Sequence, residues 1–121
     1  MRIYISGAIT GTADYMERFA GAESELSAMG WEVVNPAKVN AQLPATLKWA
    51  DYMRVSLAML SLCDAIYFIP GWRESKGAWA ESAWAAKHNI MILCGEMEAK
   101  ECHTWSELTA TPTAKTAHGT R

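Results

Sequence analysis

Carboxylates are the side chains of this sequence best placed to do chemistry, and Glu81 is the first of them. It closes the stretch Cys63 to Glu81, CDAIYFIPGWRESKGAWAE. The apolar run Ala65 to Ile69 is rich in β-formers and too short for a helix, which predicts a strand buried on both faces. Pro70 and Gly71 stop it, a polar loop from Trp72 to Lys76 follows, and an Ala-rich helix begins near Ser75 to Gly77. In a strand–loop–helix unit of a parallel sheet, that loop lies at the carboxyl end of the strand, where open α/β sheets bind ligands. The Ser75 hydroxyl and the first amides of the helix then form an anion site. Glu81 sits one to two turns further on, sharing a helical face with Gly77, Trp84 and Ala85. A carboxylate beside an anion site weakens binding by repulsion. It makes sense where it meets a carbon that becomes positive, as the anomeric carbon of a sugar does. Glu74 and Asp51 are the other carboxylates in range.

Other chemistries are excluded by what is missing. Ser6 and Gly7 end the first strand, and the loop SGAITGT carries Gly7 and Gly11, which permit close backbone approach to a phosphate or a sugar hydroxyl. The spacing is not G-x-G-x-x-G, and no acidic residue ends the second strand, so a nicotinamide cofactor is not expected. There is no Walker lysine pattern. No His/Cys/Asp grouping has metal-ligand spacing, so neither metal nor cofactor is expected. His88, His103 and His118 fall late in the chain, away from the ligand edge. The formal charge of −2 argues against a nucleic-acid partner. No apolar run has the length of a membrane span, and MRIYISG reads as a strand rather than a leader. Cys63, Cys94 and Cys102 are odd in number and read as free thiols of a cytoplasmic protein.

The elements that must position these residues alternate regularly. Arg2 to Ile5 is the first strand. A helix from about Ala13 to Met29 follows, with Thr12 as its N-cap, Phe19, Ala22, Leu26 and Met29 inward, and Gly30 as its stop. Trp31 to Val34 is the second strand, ended by Asn35-Pro36, and Ala37 to Thr46 reads as irregular loop. A helix over about Leu47 to Leu62 turns Trp49, Met53, Leu57 and Leu60 inward. The strand Cys63 to Ile69, the helix Gly77 to His88 and the strand Asn89 to Cys94 complete the pattern. Glu96 to Leu108 reads as a last weak helix and Thr109 to Arg121 as a disordered tail. This predicts one α/β domain over residues 1–108, a doubly wound, Rossmann- or flavodoxin-like parallel sheet of four to five strands with helices on both faces. The glycine loop, the segment after Asn35, the start of the second long helix and the PGWRESKG loop with Gly71 and Trp72 then converge on one cleft.

Tyr4-Ile5-Ser6-Gly7 with Gly11, Asp64 before a strand, and Ser75-x-Gly77-x-x-x-Glu81 resemble the nucleoside 2-deoxyribosyltransferase superfamily. The chain is similar in particular to its small members, the deoxynucleoside monophosphate N-glycosidases and phage-type deoxyribosyltransferase-like proteins. The resemblance covers about Arg2 to Cys94. It implies that Glu81 is the nucleophile at the sugar C1′, that Ser75 holds a 5′-phosphate, and that Tyr4 places sugar and nucleophile. The chain departs from the pattern at Ser56, where the superfamily has an aspartate, and at Thr10, where the glycosidase branch has a basic residue. Asp51 and Arg54, about a turn earlier than Ser56, are the substitutes for that charge.

Two functions remain open. One is cleavage or transfer at the N-glycosidic bond of a nucleoside or nucleotide, favoured by Glu81. The other is sequestration of a nucleotide or related signal without turnover, favoured by Ser56. Trp79 and Trp84 cannot both face the sheet, so one either lies on a patch covered by a second copy of the chain or stacks on ligand. A homo-oligomer, a dimer at least, is the expectation.

Overall fold

Arg2–Ser6 forms β1, the strand around which the domain is built. The computed structural model describes residues 1–9 and 13–94. After β1 come α1 (Tyr15–Ala28), β2 (Glu32–Val34), α2 (Pro36–Asn40), α3 (Trp49–Leu60), β3 (Ala65–Phe68), a short 3-10 turn at Trp72–Glu74, α4 (Lys76–Lys87) and β4 (Met91–Cys94). The four strands are all parallel in the order β2-β1-β3-β4. Tyr4 lies opposite Val34 on one side and Ile66 on the other, and Ser6 opposite Phe68.

Alternation along β1 divides its side chains between two cores. Ile3 and Ile5 pack with Phe19, Ala22 and Leu26 of α1 and with Ala37 of α2. Tyr4 faces the other way, toward Leu60 of α3 and Ala78 and Ala85 of α4. Helices therefore cover both faces, and the fold is the expected doubly wound α/β sheet. The chain first steps from β1 out to β2, then crosses back over β1 to build β3 and β4. The direction of winding reverses between β1 and β3, and a crevice opens there at the carboxyl ends of the strands.

Several local readings hold and several need correcting. Phe19, Ala22 and Leu26 are buried along α1, and Gly30 takes a φ of +98° just past the helix end. Met29 is not inward: it caps the helix, beyond its last turn, and is 53% exposed. The segment after Asn35 is not all loop. Asn35 Oδ1 accepts the Ala37 N–H at 3.0 Å, and Pro36, its φ preset for helix, starts α2. Trp49, at the first position of α3, is not a core residue; it is 45% exposed and lies under the Lys76 ammonium, 4.3 Å from the ring centroid. Cys63 is free, and burial pushes its thiol up to about 11 despite the nearby Arg2. Cys94 is disulfide-bonded, contrary to the free-thiol expectation. No described helix is long and apolar enough to cross a membrane. The N-cap position of α1 falls at Asp14 rather than at the expected Thr12, and its side chain makes no capping bond. Thr10, Gly11, Thr12, the helix expected at Glu96 to Leu108 and the tail expected after it lie outside the described residues.

Candidate functional site

Tyr4 and Ser6 are two apart on a strand, so both side chains leave β1 on the α3/α4 face. On α4 the buried positions are Ala78, Glu81 and Ala85, a single inward stripe at three- and four-residue spacing. The two alanines let the helix lie close to the sheet, and the glutamate between them reaches down to β1. Its carboxylate accepts a hydrogen bond from the Tyr4 hydroxyl at 2.6 Å on Oε2 and from the Ser6 hydroxyl at 2.5 Å on Oε1. Each oxygen is thus held by one donor, and the carboxylate plane is fixed.

Glu81 is 6% exposed, and among the described residues no cation pairs with it. Burial penalises its charge and raises its pKa from 4.5 to about 7, even though the Ser6 and Tyr4 hydroxyls favour the ionised form. Tyr4 moves in the same direction. Burial first, then the Glu81 charge and the hydrogen bond to it, hold the phenol well above its ordinary range, while the neighbouring Ser56 hydroxyl works the other way. Tyr4 accordingly stays a neutral donor. The result is a carboxyl group that exchanges its proton near neutrality, which is the range where acid–base and nucleophilic work is done.

Above this floor is a cleft of about 600 Å³ at the winding reversal. Of the residues singled out from the sequence, Tyr4, Ser6, Gly7, Ser56, Glu74, Ser75, Gly77 and Glu81 line it. Ser75 is the N-cap of α4: its Oγ accepts the Ala78 N–H at 3.1 Å, which leaves the hydroxyl proton available to a ligand. A Cβ on Gly77 would meet Met53 Sδ at 3.4 Å, so the missing side chain keeps the gap between α3 and α4 open. Gly7 has a packing reason as well: a Cβ there would lie 3.2 Å from Ile69 Cβ.

The remaining candidates are employed elsewhere. Asn35 spends its amide on capping α2 and on Glu23, 3.0 Å away, and is not part of the cleft lining. That bond and Lys38 pull the Glu23 carboxyl below its ordinary range. Gly71 takes a left-handed φ of +93° in the turn before the 3-10 segment, facing Arg18 rather than the cleft. Trp72 is a core residue, packed on Phe68 with ring centroids 4.4 Å apart. Asp51 accepts the Lys48 N–H in the capping box of α3 and approaches Arg54, whose side chain is 83% exposed; neither reaches the cleft. Neither brings its charge to the part of the cleft lined by Ser56. Gly11 lies outside the described residues.

Sequence reasoning missed Tyr15, Asn40, Tyr52 and Lys76 in the lining. Tyr52 was within reach, because Trp49, Tyr52, Met53 and Ser56 share one face of α3 at helical spacing. Asn40 was not, since Ala37 to Thr46 reads as loop from the sequence whereas Pro36–Asn40 is helical. No group of three or more His, Cys, Asp or Glu among the described residues is placed to hold a metal ion.

Fold and site together define a small doubly wound α/β domain whose ligand cleft has a hydroxyl-held carboxylate at its floor. The chain belongs to the family described as Domain of unknown function (DUF4406), whose family model matches residues 1–94, all four strands and α1 to α4 included. No curated protein and no solved structure matches it.

Proposed function

We propose that this domain cleaves or transfers at the N-glycosidic bond of a (deoxy)nucleoside or nucleoside 5′-monophosphate, with Glu81 acting at C1′. The observation that carries this reading is the Glu81 carboxylate, buried with no cation beside it among the described residues and fixed by Tyr4 and Ser6 at the floor of a ligand-sized cleft. An oxygen of ionised Glu81 bonds to C1′ as the C1′–N bond breaks; the base leaves with the bonding electrons and takes up a proton from solvent water. Water, or a second base, then bonds to C1′ and gives up a proton to solvent as the C1′–O bond breaks, which frees the Glu81 carboxylate. A 5′-phosphate is held at the start of α4 by the Ser75 hydroxyl, the first helix amides and Lys76, one strand away from the reacting carbon. The resemblance to deoxyribosyltransferase-like proteins supports the same assignment.

The second reading is a nucleotide-binding module that does not turn its ligand over. Ser56 favours it: buried beside Tyr4 in the cleft lining, it supplies no second ionisable group. Glu74 is the other carboxylate in the lining, and it is exposed at the rim. The two readings separate when the protein is incubated with deoxynucleosides and their 5′-monophosphates and free base is followed by chromatography. Base release that disappears in Glu81→Gln supports the enzyme. Ligand-induced thermal stabilisation without base release supports the binding module, and neither effect with any member of the panel removes both.

A homo-oligomer and a cytoplasmic location belong to the same proposal. Trp79, 49% exposed on α4, supports a contact between copies, and a monomer mass in light scattering would remove that claim. Free Cys63 fits a reducing compartment, whereas the disulfide at Cys94 weighs against it.

A further inference from the structure

Asn40 closes α2, the helix that follows β2, and lines the cleft on the side of β1 opposite β3 and α4. Its Oδ1 is sealed from solvent and, among the described residues, has no hydrogen-bond partner. Buried polar atoms without a partner are few in native proteins, and each one needs a reason. Among the described residues no hydrogen bond holds the Asn40 amide in its present orientation. Turning it toward the cleft therefore breaks nothing and gives the oxygen a donor if the ligand brings one. The walls next to α2 are Ile9, Tyr15, Phe19 and Pro36, apolar or flat surfaces suited to a planar ring.

The topology fixes which part of a ligand arrives there. Strands β2 and β3 flank β1, so the two ends of the cleft are about 10 Å apart, two strand spacings. With a phosphate at the start of α4 and C1′ over Glu81, the ring attached to C1′ points toward α2. We infer that Asn40 reads the base, its Oδ1 accepting a hydrogen bond from the exocyclic amine of an amino-bearing ring while its Nδ2 donates to the adjacent ring nitrogen. This rests on the reading of the cleft as a nucleotide site. An amide offers one donor and one acceptor side by side, the pattern complementary to the polar edge of adenine or cytosine. A side chain with no polar atoms cannot tell a base that has this amine from one that lacks it.

Calorimetric titration of the Glu81→Gln protein, in which ligand is not consumed, tests this with and without Asn40→Leu. The probes are deoxyadenosine and deoxycytidine 5′-monophosphates, their analogues lacking the exocyclic amine, and deoxyribose 5-phosphate. With Asn40 present, at least one amino nucleotide should bind about tenfold more tightly than its analogue. Asn40→Leu should remove that difference and leave deoxyribose 5-phosphate binding unchanged. Asn40→Asp, which keeps an acceptor, should preserve the preference for the amine and serves as the second variant if Asn40→Leu does not melt cooperatively. Equal binding of each nucleotide and its analogue, or discrimination that survives in Asn40→Leu, would overturn the role of Asn40 while leaving the nucleotide reading in place. Failure of every nucleotide and of the sugar phosphate to bind would overturn both.

Discussion

Glu81→Gln should stabilise the protein, and by an amount that grows with pH. The carboxyl group titrates at 4.5 when unfolded and at about 7 in the folded domain, because burial penalises the charge more than the Tyr4 and Ser6 hydroxyls relieve it. At 1.36 kcal/mol per pKa unit, that rise corresponds to about 3 kcal/mol. The folded state binds the proton more tightly, so the benefit is complete below pH ~4.5 and is lost as pH rises through about 7. A glutamine carries no charge at any pH and escapes this loss. Its carbonyl accepts from one of the two hydroxyls, and its amide donates to the other, which can accept. At pH 5 the variant should melt close to wild type. At pH 8 it should be more stable by up to about 3 kcal/mol, roughly 10 °C in Tm for a domain of this size. The titration of other groups, Glu23 included, is common to both proteins and cancels in the comparison. Melting curves of both proteins between pH 5 and 9 provide the measurement. A difference that does not change with pH would mean that Glu81 is not held against its charge, and the argument for a proton-exchanging carboxyl would fail.

Four further substitutions follow from the same geometry. Tyr4→Phe removes a donor worth about 1.5–3 kcal/mol to the charged form; the acid limb of kcat/KM for the proposed base release, expected near pH 7 in wild type, should move up by about one to two units in a pH–rate profile. Gly77→Val should leave Tm nearly unchanged but weaken ligand binding severely in a titration, because its side chain enters the space in front of Met53. Gly7→Val should behave the opposite way, costing about 1–3 kcal/mol of stability in denaturant unfolding through the clash with Ile69, so that lost binding tracks lost folding. Ser75→Ala should lower stability by about 1 kcal/mol through the lost cap and reduce affinity for 5′-monophosphates more than for nucleosides, as calorimetry would show.

The sheet and its strand–helix alternation were legible because each strand is a short apolar run and each long helix has its own stripe. Glu81 and Ser75 were legible for a topological reason: a parallel strand must hand its loop to the ligand edge, whatever the loop contains. The partners of Glu81 were harder to see. Nothing local links Tyr4 and Ser6 to a residue more than seventy positions later; the pairing of β1 with β3 creates that contact. Asn35-Pro36 misled because one dipeptide can end a strand and start a helix, and only the cap geometry shows that it does both. Trp72 and Gly71 misled differently. They sit in the expected loop, but an aromatic ring of that size finds more apolar contact in the core than over a cleft.

The claim that Glu81 is the group acting at C1′ is tested most directly by trapping. Protein mixed with excess deoxynucleoside 5′-monophosphates is quenched in acid within the first turnover, then digested and mapped by mass spectrometry. The account predicts that the peptide containing Glu81 gains the mass of a deoxyribose phosphate residue, that the added mass maps to Glu81, and that Glu81→Gln shows neither adduct nor base release. Base release by Glu81→Gln at the wild-type rate, or an adduct on any other residue, would contradict it.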